Sequence, residues 1–228
     1  MRSYLRSYKR YFIGLLLFFS VGILLLLLYG KSASFKALNS FHPGILNEFF
    51  INFTFMGDGI FALSLTALFL FYYKRKAQGL SLLYAFLVSG LIVQIIKNLI
   101  NSPRPRLFFE AGQYLHFIDG VSLANYSSFP SGHTTTAFAI ATVMVLFTKT
   151  KSWQWFYLLS AVLIGYSRIY LAQHFLLDVM IGAAIGTLSG LAMVYCVQHG
   201  KAIKYWWVKK WQPHTVDASP SSPTIQPA

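Results

Sequence analysis

The chain has 228 residues, of which 56% are hydrophobic and only 11% are charged. Soluble globular domains carry about 25% charged residues, so this composition argues against a soluble protein. The single cysteine, Cys196, excludes a disulfide framework and a thiolate metal site. The net charge of +13 indicates contact with anionic groups, either of membrane lipids or of a ligand.

Six apolar segments are predicted to cross a membrane. A helix needs about 20 apolar residues to span a hydrocarbon core of about 30 Å. The second segment is short, and we expect it to borrow residues from 50–58 or to cross a thinned bilayer. The predicted fold is all-α, a polytopic bundle of six transmembrane helices. The segments are residues 11–29, 59–73, 80–100, 132–148, 153–172 and 175–197.

Basic residues indicate the orientation of these segments. Short cytoplasmic loops are enriched in Lys and Arg, and an even number of spans puts both termini on one side. That side, predicted to be the cytoplasm, carries 13 of the 19 Lys and Arg residues. Contact with anionic lipid headgroups explains them better than nucleic-acid binding does. They are Arg2, Arg6, Lys9, Arg10, Lys74, Arg75, Lys76, Lys149, Lys151, Lys201, Lys204, Lys209 and Lys210.

The chain divides into a basic N-terminus (1–10), a membrane domain (11–197) and a tail (198–228) that is basic and then polar and proline-rich. The end of such a tail is expected to be disordered. Two external loops, 30–58 and 101–131, are long, and long loops in a compact protein are usually functional or disordered.

The first candidate cluster is KNLINSPRPR, residues 97–106. Lys97 lies near the outer end of the third span, and Pro103 and Pro105 end the helix and leave Arg104 in the loop. Snorkelling of the two cations to the membrane interface is the structural alternative to anion binding.

The second cluster is NYSSFPSGHTTTAFA, residues 125–139. Ser131 is a candidate helix cap, and Gly132 permits close approach of a ligand to the backbone. Free N–H groups at such a helix start form an anion site. A helix start does not explain His133, which sits at the threshold of an apolar run.

The third cluster is SRIYLAQHFLLD, residues 167–178. Arg168 comes near the outer end of span five, and His174 and Asp178 are four residues apart, so on a continuous helix they share a face. A carboxylate can then fix the imidazole tautomer and leave the other nitrogen as a nucleophile or base. The alternative is an acidic residue that only stabilises the start of span six.

Topology places all three clusters on the external side. Three cations, a helix start, two histidines and one carboxylate describe a pocket for a highly charged anion, and phosphate fits best. The surrounding cations disfavour a metal ion. The role of Asp58 in MGDG stays open between capping of span two and lining the substrate approach, and the external segment 107–129 is expected to shape the pocket.

These clusters make the sequence similar to the type 2 phosphatidic acid phosphatase superfamily, whose signature is K-x6-RP, then PSGH, then SR-x5-H-x3-D. All three motifs occur in order, and with its six spans the resemblance covers about residues 10–197. It implies a membrane-bound lipid phosphatase without metal or cofactor, acting at the outer face of a bacterial cytoplasmic membrane. It implies no nucleic-acid partner and no obligate protein partner.

The resemblance also implies roles for the site residues. His174 attacks phosphorus, Asp178 holds its ring, and His133 protonates the leaving oxygen. Undecaprenyl diphosphate is the favoured substrate, with phosphatidylglycerophosphate, phosphatidic acid and lipid A as alternatives. The alternative functions are phosphoryl transfer to a second lipid, by a lipid phosphotransferase, and transport of phosphorylated solutes. The expected phosphate-binding residues are Lys97, Arg104, Ser131, Gly132 and Arg168.

Overall fold

The computed structural model describes residues 7–109, 117–118, 121, 124–148 and 150–210, and only the backbone of residues 201–210. All regular secondary structure in these residues is helical, which confirms the predicted all-α class. A 3₁₀ turn (Thr54–Gly57) and a π-helical turn (Leu68–Tyr72) flank α3. The helices are α1 (Lys9–Leu38), α2 (Gly44–Phe53), α3 (Gly59–Ala67), α4 (Lys76–Ile100), α5 (Pro105–Phe108), α6 (Gly132–Phe147), α7 (Lys151–Tyr170) and α8 (Leu176–Lys210).

Several described helices are compatible with a membrane protein. Three apolar helical runs are long enough to cross a bilayer, and a bent pair of helices with an angle of 57° adds a fourth if it forms one broken span. Helix α6 is apolar but has only 16 residues. The count of six spans stays a prediction. The three runs are Lys9–Leu38, Lys76–Phe108 and Leu176–Gly200, and the bent pair is Gly44–Gly57 with Gly59–Tyr72.

The segment 30–58, predicted to be an external loop, is mostly helical. Helix α1 continues through a break at Gly30, where φ is +66° and ψ is −175°, and α2 follows it. The physical reason is apolar packing, because the fully buried ring of Phe35 lies 5.6 Å from the ring of Phe109 and 5.3 Å from that of Phe175. This part of the chain therefore covers the residues next to His174.

Helices α6 and α8 pack closely through glycines of α8. A Cβ atom at Gly182 would lie 2.6 Å from the carbonyl oxygen of Ser131, and one at Gly186 would lie 2.2 Å from that of Thr135. Small residues at four-residue spacing allow such contact between backbones. The start of α6, which carries the second motif, is thereby held against the first turns of α8.

Three sequence predictions concern segments that lie wholly or partly outside the described residues. Residues 211–228 of the predicted tail and residues 1–6 lie outside the described residues, as does much of the external segment 107–129. Helix α8 itself runs to Lys210, beyond the predicted end of the last span at residue 197.

Candidate active site

Hydrogen bonds join the first two motifs at one end of the helix bundle. The backbone N–H of Arg104 donates to the carbonyl of Asn125 at 2.9 Å, and the N–H of Ser128 donates to the carbonyl of Ser102 at 3.0 Å. The Nε atom of Arg104 also donates to the carbonyl of Tyr126, at 3.0 Å. The loop after α4 is thus held against the segment that leads into α6.

Ser131 caps helix α6, as the sequence predicts. Its Oγ accepts a hydrogen bond from the N–H of Thr134 at 3.4 Å and one from the hydroxyl of Thr134 at 2.8 Å. The first N–H groups of a helix have no partner within the helix and are available to an anion. Space is present there, because a Cβ atom at Gly132 would find no neighbour closer than Val93, at 4.0 Å. This space belongs to a cavity of about 130 Å3 that His133 also lines.

His174 and Asp178 meet in a buried position. His174 lies in the turn before α8 and Asp178 in the first turn of that helix, so the two residues do not share one continuous helix. They are paired nevertheless, with His174 Nδ1 3.5 Å from Asp178 Oδ2 and both side chains almost fully buried. The reason is that side chains in a helix tilt toward its N-terminus, which here is the direction of His174.

The Asp178 carboxylate is fixed by two further donors. Its Oδ2 atom accepts a hydrogen bond from the backbone N–H of Phe175 at 2.9 Å and one from the hydroxyl of Ser128 at 2.5 Å. The carbonyl of Asp178 accepts from the N–H of Ser131 at 3.0 Å. Sequence reasoning missed Ser128, although it stands two residues before the Pro130 of the second motif. Its position within the second cluster, residues 125–139, is the signal that could have identified it.

Arg168 is buried and has one unsatisfied donor. Its Nη1 atom donates to the hydroxyl of Thr54 at 2.6 Å, and its Nη2 atom donates to Oε1 of Gln173. The same Oε1 atom accepts from Nη1 of Arg104 at 3.2 Å, so one amide oxygen joins two guanidinium groups. Within the described part of the chain, Arg168 Nε has no hydrogen-bond partner. Buried donors are rarely left unpaired, and an anionic oxygen would satisfy this one.

Lys97 completes the predicted group of cations. It lies half-buried in the last turn of α4 and interacts electrostatically with Arg104, Arg168 and Asp178. The three cations that the sequence placed at the outer ends of two spans are therefore brought together. A cluster of like charges is costly unless an anion neutralises it, which agrees with a site for phosphate.

His174 is neutral at physiological pH. Burial lowers the pKa of its imidazole to about 4, and the positive charges of Arg168 and Arg104 act in the same direction. The carboxylate of Asp178 opposes this shift only in part. A neutral imidazole has a free lone pair on one ring nitrogen, and this is the state required of a nucleophile.

Asp58 caps α3, one of the two roles that the sequence left open, and also faces a cavity beside His133. One carboxylate oxygen caps α3 by accepting a hydrogen bond from the N–H of Ile60 at 2.9 Å. The other lies 3.8 Å from Nε2 of His133, and both residues line the cavity next to Gly132. Among the described residues, no three His, Cys, Asp or Glu side chains lie together in a way that could hold a metal ion.

Comparison with known proteins agrees with the sequence motifs. The chain is 29% identical to an undecaprenyl-diphosphatase of Sulfolobus acidocaldarius over 78% of its own length and 86% of that protein. It is 31% identical to phosphatidylglycerophosphatase B of Bacillus subtilis over 63% of its own length and 71% of that protein. The crystal structure of Aquifex aeolicus LpxE superposes with a TM-score of 0.65 at 33% identity, covering 72% of this chain and 94% of LpxE.

A protein-family comparison covers the segment that carries all three motifs. Residues 78–201 match the PAP2 superfamily, and these residues make up more than half of the chain. The chain therefore belongs to the PAP2 superfamily.

Proposed function

We propose that this member of the PAP2 superfamily hydrolyses lipid phosphates or diphosphates at the outer face of a bacterial cytoplasmic membrane, through a phosphohistidine on His174. The chain is a membrane phosphatase by its family and relatives, and the proposal concerns its residues, its substrate and its orientation. The observation that carries the proposal is the buried pair of His174 and Asp178, 3.5 Å apart, together with the unpaired Nε of Arg168.

In the first step, the neutral His174 attacks phosphorus through Nε2, because its Nδ1 atom faces Asp178. The bond from phosphorus to the leaving oxygen breaks, and His133 donates its proton to that oxygen. The positive charge that develops on the ring of His174 is stabilised by the carboxylate of Asp178. The lipid leaves as an alcohol, or as a monophosphate if the substrate is a diphosphate.

In the second step, the neutral His133 removes a proton from water as the water oxygen attacks phosphorus. The bond between phosphorus and nitrogen breaks, inorganic phosphate is released, and His174 returns to its neutral form. No metal takes part, because the charge on the phosphoryl oxygens is balanced by the protein in both steps. The groups proposed to bind these oxygens are Lys97, Arg104, Arg168, the hydroxyl of Ser131 and the backbone N–H of Gly132.

The favoured substrate is undecaprenyl diphosphate. The similarity to the undecaprenyl-diphosphatase of S. acidocaldarius, which extends over 86% of that protein, supports this choice. Phosphatidylglycerophosphate is the next candidate, supported by the similarity to the B. subtilis enzyme. Phosphatidic acid and lipid A phosphates follow. The excess of Lys and Arg near the predicted inner ends of the spans supports cytoplasmic termini and an external active site.

Phosphate release by the purified full chain in detergent with EDTA tests the proposal. The substrates are the four lipids above, and the variants are His174→Ala and, as a matched control, His199→Ala. His199 is exposed near the far end of α8, so its loss should leave activity unchanged. We expect metal-independent release by the wild type and by His199→Ala only. Full activity of His174→Ala would refute the assigned nucleophile.

A second measurement separates hydrolysis from transfer of the phosphoryl group to another lipid, since both pass through the same phosphohistidine. Product analysis with substrate and a second lipid alcohol present should give inorganic phosphate. A phosphorylated second lipid in its place would identify a phosphotransferase.

A further inference from the structure

The carboxylate of Asp58 is divided between two partners. Oδ1 accepts the capping hydrogen bond from Ile60 N–H at 2.9 Å, while Oδ2 lies 3.8 Å from Nε2 of His133. A cap needs only one side-chain oxygen, and neutral Asn or Ser provides it as well as Asp does. The second oxygen and the negative charge are therefore not required by the helix.

The turn that carries Asp58 is pressed against the start of α6. A Cβ atom at Gly57 would lie 2.8 Å from the carbonyl oxygen of His133 and 2.7 Å from Cγ2 of Ile164. Such a distance cannot be accommodated without movement of the backbone or of the packed side chain. Only glycine lets this turn approach so closely, and the approach fixes the carboxylate of Asp58 opposite the imidazole of His133.

The charges around His133 indicate what the second carboxylate oxygen does. The other ionisable groups that act on the imidazole are predominantly cationic and come from α4, α7 and the loops after α4 and α7. Each of the three positive charges repels a proton on His133. Proton donation to the leaving oxygen nevertheless requires the imidazolium form. The cations are Lys97, Arg104 and Arg168, and the other group is the neutral imidazole of His174.

We propose that Asp58 is a positioning residue that keeps His133 as the imidazolium which the first chemical step consumes. This inference rests on the proposed function, in which His133 is the general acid. At 3.8 Å the pair acts through charge attraction rather than through a short hydrogen bond. Asp58 also interacts electrostatically with Arg168, so one carboxylate balances charge on two groups of the site.

Asp58→Asn separates this role from capping. The amide keeps the helix cap and removes the negative charge, whereas Asp58→Ala removes both. An opposite charge within about 4–6 Å shifts a titration by about one pH unit or more. We therefore expect the alkaline limb of kcat/KM in Asp58→Asn to move down by about one pH unit. Relative to wild type, the loss of activity should grow with pH and reach about tenfold where both proteins are on the alkaline limb.

A purely structural role predicts another pattern. Loss of the cap would lower the thermal stability of Asp58→Ala and leave the pH profiles of both variants superposable on that of the wild type. Superposable profiles for wild type and Asp58→Asn would overturn the proposal.

Chemical labelling tests the same pair without phosphatase activity. Diethyl pyrocarbonate modifies neutral imidazole, and the side chain of His133 is 31% exposed and so accessible to the reagent. Mass spectrometry of the His133 peptide across pH 5–9 should give a midpoint about one pH unit lower in Asp58→Asn than in wild type. An unchanged midpoint would refute the pair.

The two measurements also distinguish failure of this inference from failure of the proposed function. A shifted labelling midpoint in a protein that releases no phosphate from these lipids would uphold the Asp58–His133 pair and reject the proposed substrates and reaction. Phosphate release with an unshifted labelling midpoint would uphold the proposed reaction and reject the Asp58–His133 pair.

Discussion

The hydroxyl of Ser128 donates a 2.5 Å hydrogen bond to Oδ2 of Asp178, the same oxygen that faces the imidazole of His174. The first residue precedes α6 and the second begins α8, so the bond joins the second motif to the third. A hydrogen bond to a charged group in a buried site is stronger than one at the surface. Ser128 therefore controls where the carboxylate points.

Ser128→Ala is expected to lower kcat by about tenfold, equivalent to about 1.4 kcal/mol, with KM changed much less. The phosphoryl-binding cations are untouched, which is why the loss should appear in kcat. Ser127→Ala is the matched control, because the Ser127 hydroxyl reaches the side chain of Asn101 at 3.4 Å and not the site. Equal losses in the two variants, measured by steady-state phosphate release, would contradict this role.

Gln173 joins the two arginines of the site through a single amide oxygen. Gln173→Met keeps the size of the side chain but removes this acceptor, so the guanidinium groups should spread and KM should rise by several-fold, by about 1 kcal/mol of lost binding. Gln173→Glu should be worse, because its carboxylate competes with the phosphoryl oxygens for both arginines. Inhibition by vanadate, a phosphate mimic, measures the effect. Tighter vanadate binding by Gln173→Glu than by Gln173→Met would contradict the competition.

The sequence was sufficient to find the residues whose chemistry is unusual for their surroundings. Cations at the outer ends of apolar spans, and a histidine at the start of one, are expensive in a membrane unless they have a function. Lys97, Arg168 and His133 were identified on this ground, and the structure places them near one another.

The sequence was not sufficient to find residues whose role depends on tertiary contacts. Ser128 reaches Asp178 across 50 positions and Arg104 reaches Gln173 across 69, and neither pairing has a periodic signal. Gln173 and Ser128 are also ordinary polar residues, so nothing in their type marks them. The helical course of 30–58 was missed for a similar reason, since burial of Phe35 against Phe109 and Phe175 depends on contacts distant in the chain.

The pH dependence of the phosphoryl-enzyme step should report the shifted pKa of His174. Burial lowers this pKa from 6.5 to about 4, and the nucleophile must be deprotonated. The rate is therefore expected to stay high as pH falls through 6.5 and to be lost only as pH approaches about 4. Rapid-quench trapping of the phosphoenzyme between pH 3.5 and 8, with tryptophan fluorescence to monitor the fold, measures it.

The variant Asp178→Asn, measured in the same experiment, tests the effect of the carboxylate on His174. The carboxylate raises the pKa of His174 against the effect of burial, so its removal should lower the pKa further. The variant should form phosphoenzyme more slowly at every pH, without an upward shift of the acid limb. A wild-type rate that halves near pH 6.5, the ordinary pKa of histidine, would show that His174 is solvated and not buried in the working enzyme.

Close packing of α6 on α8 sets the distance between the second and third motifs, and Gly186→Ala should disturb it. The added Cβ would lie 2.2 Å from the carbonyl oxygen of Thr135 and 2.9 Å from the backbone nitrogen of Ala139, neither of which can rotate away. We expect destabilisation by at least about 2 kcal/mol, measured as a lower midpoint of thermal unfolding in detergent.

Gly90→Ala is the control for helix propensity, because a Cβ atom at Gly90 in α4 meets nothing within 4 Å. Alanine is favoured over glycine in a helix by about 1 kcal/mol, so this variant should unfold at or above the wild-type temperature. Opposite signs for the two substitutions would separate steric contact from propensity. If Gly186→Ala were as stable as the wild type, α8 would have to be able to move away from α6, and the close approach between the helices would not be what fixes Ser131 against Asp178.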